Sequence, residues 1–256
     1  MKFNRLTLLL ASALVFAFGV VAFAQEHESK TVKTPKASTP SLTSSVQLGD
    51  RLVVIPSPEG YEEAASQFKV IKDRFTATEA PGNDMLFVHL PVSDCDLLRN
   101  GSNATYDQYT KISVFRAGRE LNVTSAMMTA AVADLRKEAA KFPDPNNPTT
   151  QGMEKHVERA LTEINSKQTK IDFSKPEVLG EFNAGNDVFS LLLLLTVKVN
   201  IGGVEASTPM LMSVSYVRVK ERLIFVYVYR KLNSKADVEP VKQFTTKWTG
   251  SILAAN

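Results

Sequence analysis

The chain has 256 residues, of which 44% are hydrophobic and 22% are charged, and its 30 basic and 27 acidic residues give a formal net charge of +3. This composition is typical of a folded globular protein and excludes collagen-like, coiled-coil and wholly disordered chains. A single cysteine excludes an intramolecular disulfide framework and any multi-cysteine zinc site. Three histidines leave little room for a His-rich metal site, so we expect neither a metal nor a cofactor.

Residues 1–24 have the layout of a secretory signal peptide. The basic residues Lys2 and Arg5 precede a long apolar run, which ends in small residues at Ala24 before a polar segment. We predict cleavage between Ala24 and Gln25 and a periplasmic or secreted protein with no membrane contact after cleavage. The alternative is an N-terminally membrane-anchored protein, because the apolar run is just long enough to span a bilayer.

The charge of the chain depends partly on this first segment. Residues 1–24 contain two basic and no acidic residues, so 28 basic and 27 acidic residues remain after it. We find no Lys/Arg block and no nucleic-acid motif, and therefore predict no nucleic-acid partner. Residues 25–46 are rich in Ser, Thr, Lys and Pro without an apolar period, which predicts a flexible polar tether. Residues 47–256 are predicted to form a single domain.

The first half of this domain mixes strand and helix patterns. Short β-rich runs bounded by Pro and Gly predict strands, and apolar residues three or four positions apart predict helices. Three prolines after Phe142 separate two of the helices. In chain order we predict a strand over 52–55, a helix over 62–75, a strand over 85–90, an irregular segment over 91–107, a strand over 109–116, and helices over 125–141 and 150–166.

The second half predicts an antiparallel meander closed by a helix. Strands are expected over 178–182, 188–201, 210–219 and 223–230, with Gly202-Gly203 as a two-residue hairpin turn. A helix over 236–254, capped by Ser234, carries an apolar stripe that includes Trp248 and is expected to close one face of the sheet. The fold class is therefore α+β, an antiparallel sheet flanked by helices in an α/β/α sandwich-like arrangement.

One polar cluster could carry chemistry. His89, Asp94, Cys95 and Asp96 lie at the end of a predicted strand and in the segment after it. A thiol, an imidazole and two carboxylates there would suit a cysteine nucleophile or a weak metal site. The structural alternative places His89 at the edge of an apolar face, the aspartates in a loop or at a helix start, and Cys95 buried and inert or paired between chains.

The tyrosines of the meander and one further histidine have structural interpretations. Tyr216, Tyr227 and Tyr229 are predicted to pack in the sheet with solvated hydroxyls. If they share a face that no helix covers, they would form an aromatic patch for a protein partner. His156 is predicted to lie on a solvated helical face among charged residues.

Two stretches carry a resemblance to a known fold family. They are the turn Pro56-Ser57-Pro58-Glu59-Gly60-Tyr61 and the ending RLIFVYVYRKLNSKADVEPVKQFTTKWTGSIL, which together with the element order resemble the PsbP/DcrB-like α/β/α sandwich superfamily. The resemblance implies a non-catalytic envelope or lumenal domain that binds partners or stabilises assemblies. It implies no functional residue, because the group has no shared catalytic motif.

The sequence therefore predicts an exported, non-catalytic interaction or assembly domain of the cell envelope with a protein partner. The chain has none of the motifs of serine hydrolases, zinc peptidases or nucleotide-binding proteins. The alternative is an exported small-ligand-binding protein or hydrolase with a site near His89 and Cys95. The oligomeric state and the partner's identity are left open.

Overall fold

A computed structural model describes residues 43–139, 148–173 and 176–256. The predicted signal peptide, its cleavage site at Ala24 and Gln25, and most of the predicted tether lie outside the described residues. The strands are β1 (Thr43–Leu48), β2 (Arg51–Pro56), β3 (Tyr61–Glu63), β4 (Asn83–Pro91), β5 (Gln108–Phe115), β6 (Thr169–Phe173), β7 (Glu177–Phe182), β8 (Val188–Ile201), β9 (Val204–Val219) and β10 (Arg222–Lys231). The helices are α1 (Lys69–Ala77), α2 (Val92–Arg99), α3 (Ser125–Ala139), α4 (Pro148–Asn165) and α5 (Val238–Ala254).

Eight strands form one antiparallel sheet. Its order is β3-β4-β5-β10-β9-β8-β6, and β7 also pairs with β8, so β6 and β7 share the outer edge of β8 end to end. The predicted meander of β7, β8, β9 and β10 is confirmed, with the Gly202-Gly203 turn at its longest hairpin. Both glycines have positive φ, 58° and 93°, which is the backbone conformation that this turn requires.

The two faces of the sheet are covered by different layers, because strand side chains alternate between faces. Apolar residues of α1, α3 and α4 pack on the first face. Helix α5 and the separate β1–β2 hairpin pack on the second face. The predicted α+β class is confirmed, with a helical layer on each side of the antiparallel sheet. Among the described helices, none is both long enough and apolar enough to cross a membrane.

Helix α5 closes the second face as predicted. Ser234 and Asp237 form a capping box at a 3-10 turn that precedes the helix. Trp248 is only 2% exposed, and its indole Nε1 donates a hydrogen bond of 2.8 Å to the carbonyl of Pro56. The indole therefore joins the helix to the β1–β2 hairpin.

The structure corrects three predicted boundaries. The helix expected from residue 62 begins at Lys69, because Tyr61–Glu63 form β3 and the Glu63 carboxylate accepts hydrogen bonds from the following amides. The segment 91–107, expected to be irregular, contains α2. Strand β1 begins at Thr43, four residues inside the predicted tether, because Val46 and Leu48 pack with the second core.

Two strand assignments were also incomplete. Strand β6 was not predicted, although its buried and exposed residues alternate along all five positions. Strand β9 begins at Val204 rather than Met210, because its pairing with β8 continues past Pro209 to the turn.

Candidate functional site

The predicted cluster of His89, Asp94, Cys95 and Asp96 does not form a site. Cys95 lies in α2, is fully buried within the first core, and has its Sγ 4.0 Å from the carbonyl of Leu90. His89 points to the opposite face, where its ring meets Trp248 edge-on with centroids 5.3 Å apart. Asp94 accepts hydrogen bonds from Thr105 and Tyr106, and Asp96 pairs with Arg99 at the surface.

Burial also sets the protonation of the two reactive groups. Desolvation raises the pKa of the Cys95 thiol to about 12 and lowers the pKa of the His89 imidazole to about 3. The His89 Nδ1 lies 3.2 Å from the Thr110 hydroxyl, whereas its Nε2 is buried without a partner among the described residues. Near neutral pH the thiol is protonated and the imidazole is neutral. Within residues 43–139, 148–173 and 176–256, no three His, Cys, Asp or Glu side chains are placed to bind a metal ion.

The predicted packing of the tyrosines in the sheet is confirmed, but their hydroxyls are buried rather than solvated, and the condition for an aromatic patch, a face that no helix covers, is not met. Tyr216, Tyr227 and Tyr229 share the first face of the sheet, but none is more than 2% exposed. Burial raises the pKa of the Tyr216 and Tyr227 hydroxyls well above its ordinary value. These side chains contribute to the core and offer no surface to a partner.

A buried ion pair lies beside these tyrosines. The Lys111 ammonium is 3.1 Å from the Glu79 carboxylate and 4.9 Å from the centroid of the Tyr227 ring. The Ser113 hydroxyl donates to the same carboxylate at 2.7 Å, and both charged side chains are almost fully buried. Sequence reasoning missed the pair, because a lysine within a strand is typical of an exposed position. Lys111 lies on the same face of the strand as Tyr109 and Ser113, and this alternation was the sequence signal for its burial.

His156 is also tied to this region. It lies on α4, and its Nε2 is 3.0 Å from the carbonyl of Glu79. The prediction of a solvated helical face is therefore wrong, because the ring is half-buried and joins α4 to the segment before β4.

A different feature, the far end of the β8–β9 hairpin, has free backbone groups. We call residues 196–209 the hairpin tip. Strand β10 pairs with β9 only from Met210 onward, so the tip has no strand on the outer side of β9. In a hairpin with a two-residue turn, alternate residues direct their backbone groups away from the partner strand. Here those residues are Glu205, Ser207 and Pro209.

The free groups can be identified individually. The Pro209 carbonyl accepts a hydrogen bond of 2.8 Å from the amide of Leu232, and proline has no N–H. The N–H and C=O groups of Glu205 and Ser207 have no hydrogen-bond partner among the described residues. We call these four groups the open edge. Both residues are exposed, and the neighbouring Val204 is 73% exposed.

Polar side chains flank the open edge in cross-strand rows. The register aligns Lys170, Asn200 and Glu205 in one row, and Asp172, Lys198 and Ser207 in the next. The Asn200 amide donates to the Glu205 carboxylate at 3.3 Å, and Lys198 pairs with Asp172 at 3.5 Å. These rows line an open cavity of about 510 Å³. The surface beside the edge is therefore concave, polar and of mixed charge.

Side chains cover the edge of β6. The outward amides of Thr169, Ile171 and Phe173 donate to three side chains of α4 at 2.9 to 3.2 Å. These acceptors, Thr162, Glu158 and Glu154, are four residues apart, which spans about 6 Å on a helix and matches the spacing of two residues on a strand. Helix α4 therefore acts as a substitute for a last strand.

A second edge, that of β2, is covered in the same way. The side-chain amide of Asn256 accepts from the Val54 N–H at 2.9 Å and donates to the Val54 carbonyl at 2.7 Å. An exposed strand edge is a template for pairing with another chain, and folded proteins commonly block it. The open edge of β9 stands in contrast to the covered edges of β6 and β2.

Comparisons with known proteins find similar chains among solved structures. No model of a protein family matches the chain, and the search of curated proteins found no match. Among solved structures, the chain is similar to the Ran-binding protein Mog1p of Saccharomyces cerevisiae, with 12% identity, a TM-score of 0.29, and coverage of 84% of this chain and 92% of that one. It is also similar to a mutant of the protein Mog1, with 13% identity, a TM-score of 0.30, and coverage of 83% and 91%.

These structures correct one prediction. The predicted periplasmic or secreted location, with its membrane-anchored alternative, is contradicted by the structures found, one of which is described as a Ran-binding protein, and is withdrawn. The resemblance to the PsbP/DcrB-like superfamily stays a prediction.

Proposed function

We propose that this chain is a non-catalytic interaction domain that binds a protein partner through the hairpin tip. The observation that carries the proposal is the open edge, where Glu205 and Ser207 present paired N–H and C=O groups to solvent. Such a row of groups binds an added strand through main-chain hydrogen bonds, which is a common mode of protein recognition. The concave polar surface beside it gives the partner's side chains a place to pack.

The interior of the protein supports a binding role over the hydrolase alternative. His89 and Cys95 lie on opposite faces of the sheet, so they do not meet at one reacting atom. The Lys111–Glu79 pair is satisfied by its own neighbours in the core and is almost fully buried.

A site-specific cross-linking experiment tests the proposal. A photoreactive amino acid replaces Glu205 in the full chain, and a control chain carries it at Gln243, an exposed position on α5. After irradiation in the cells that produce the protein, we expect an adduct with a protein identified by mass spectrometry from position 205 alone. Equal adducts from both positions, or none from 205, would contradict the proposal.

Two matched variants then test the role of the backbone. Ser207→Pro removes an outward N–H without affecting the pairing of β9 with β8, because Pro209 already occupies the equivalent position two residues away. Ser207→Thr keeps the N–H. We expect the identified partner to be retained by wild type and Ser207→Thr and lost by Ser207→Pro. Retention by Ser207→Pro, with its circular dichroism unchanged, would refute binding through this edge.

A further inference from the structure

We infer that the open edge takes a short extended segment of a partner in which a β-branched residue is followed directly by Lys or Arg. This inference rests on the proposed function and names the chemistry of the segment. It follows from the length of the edge, from the side chains on its two sides, and from the contact that ends it at Pro209.

The free backbone limits the length of the segment. Hydrogen-bonding groups are available at Glu205 and Ser207, two residues apart. At one end lies the Gly202-Gly203 turn, and at the other the amide of Leu232 already occupies the carbonyl of Pro209. The site therefore accommodates about three to five residues of extended chain at 3.3 Å per residue. An antiparallel segment continues the pattern of the whole sheet and exchanges two bonds with each of the two residues.

The side chains then determine the order of residues. A segment residue opposite Glu205 lies on the same face of the sheet as the Glu205 carboxylate. This carboxylate is exposed, and it accepts a hydrogen bond from the neutral side-chain amide of Asn200. Lys170, the cation of the same row, lies beyond Asn200, and Lys198 of the adjacent row is paired with Asp172. A basic residue opposite Glu205 is therefore favoured by charge.

The opposite face has a different character. Val204, Ala206 and Thr208 lie on the face away from Glu205, and Val204 is 73% exposed. The segment residue opposite Ala206 lies among these small and β-branched side chains, so valine, isoleucine or threonine fits best. Because the segment runs antiparallel to β9, this residue precedes the basic one.

A second copy of this chain fits the edge poorly. In a two-fold symmetric dimer, Glu205 of each copy would pair with Ser207 of the other copy. This antiparallel register would put the other copy's Gly203 beside Pro209. The Leu232 amide is already bonded there. Shifting the register to avoid this contact would place Glu205 opposite the same residue of the other copy, and like charges directly opposite each other are destabilising.

The test uses capped synthetic pentapeptides and the isotope-labelled full chain. The probe is Thr-Thr-Val-Arg-Thr, and the control has Glu in place of Arg. In a millimolar titration followed by NMR, we expect the amide signals of residues 204–208 to shift with the probe. We expect the probe to bind about two- to fivefold more tightly than the control, the range of an exposed ion pair. Glu205→Lys should reverse the preference, and Ser207→Pro but not Ser207→Thr should abolish the shifts.

The outcomes separate this inference from the proposed function. Absence of shifts in residues 204–208, shifts centred elsewhere, or equal binding of both peptides by wild type and Glu205→Lys would overturn the inference. The molar mass of the full chain without peptide provides a further outcome. If that mass is twice the monomer's and Ser207→Pro restores the monomer value, the inference is overturned as well, because the occupant is then a second copy. In either case, loss of a cross-linked partner with Ser207→Pro would leave the proposed function standing.

Discussion

His89 makes the stability of this protein depend on pH in a predictable direction. Its imidazole is fully buried between β4 and α5, against the Trp248 ring and with one bond to Thr110. Burial lowers its pKa from the ordinary value of 6.5 to about 3. The unfolded chain therefore binds a proton at a higher pH than the folded chain does. The stability that the neutral ring provides is complete above pH 6.5 and is lost as the pH falls from 6.5 towards 3.

The size of the loss follows from the difference between the two pKa values. Each pH unit within that window costs about 1.4 kcal/mol for one group, so acidification from pH 6.5 to 4.5 removes about 2 to 3 kcal/mol through His89. This is a large share of the roughly 5 to 15 kcal/mol that stabilises a typical domain. Other titrating groups add their own dependence, so the contribution of His89 must be measured as a difference between variants.

Urea denaturation at several pH values provides that difference. His89→Phe keeps an aromatic ring beside Phe87 and Trp248 and cannot be protonated. We expect wild type to lose about 2 to 3 kcal/mol more than His89→Phe between pH 6.5 and 4.5. His156→Gln is the control, because it removes another histidine but keeps His89, and its free energy of unfolding should also fall more steeply with acidification than that of His89→Phe. Parallel free-energy curves for wild type and His89→Phe would refute the reasoning.

Four further predictions concern the interior and the sheet edge. Trp248→Ala should cost about 3–5 kcal/mol in urea denaturation, and native tryptophan emission at the wavelength of a solvated indole would contradict its burial. Cys95 should react with an alkylating reagent only after denaturation, and rapid labelling of the folded chain would show that the thiol is accessible. Lys111→Met leaves a buried carboxylate unpaired and should cost about 3–5 kcal/mol, so an unchanged midpoint would argue against the ion pair. Glu158→Ala removes the acceptor for the Ile171 amide, whose hydrogen exchange should accelerate relative to Glu158→Gln, and equal exchange rates in the two variants would exclude the cap.

The sequence predicted the parts of the fold whose pattern is local. Gly202-Gly203 fixed the longest hairpin because few other residues adopt its backbone angles, and the stripe through Trp248 located α5. Strand β3 and helix α2 were missed because what defines them is not local. The first has three residues paired with β4, and the second buries the charged Asp94 beside Cys95 where a typical helix would bury apolar residues alone.

The candidate site was harder to predict, because closeness in sequence does not determine direction in space. His89 and Cys95 are six positions apart, yet the alternation of β4 and the turn of α2 direct them to opposite faces. The open edge depends on which strands are neighbours, and the sequence does not contain that order. Pro209 was the available signal, since proline within a strand favours an edge.

Helix α4 caps the edge of β6 where a further strand would otherwise pair, and this arrangement has a consequence for the aggregation of the protein. The three outward amides of β6 are capped by side chains of a helix rather than by another strand. Local opening of α4 would expose amides with the same two-residue spacing as in the open edge. Conditions that loosen α4 while the sheet persists would thus expose a further strand edge that can pair with another chain. Aggregation through this edge would therefore begin with the opening of one helix rather than with global unfolding.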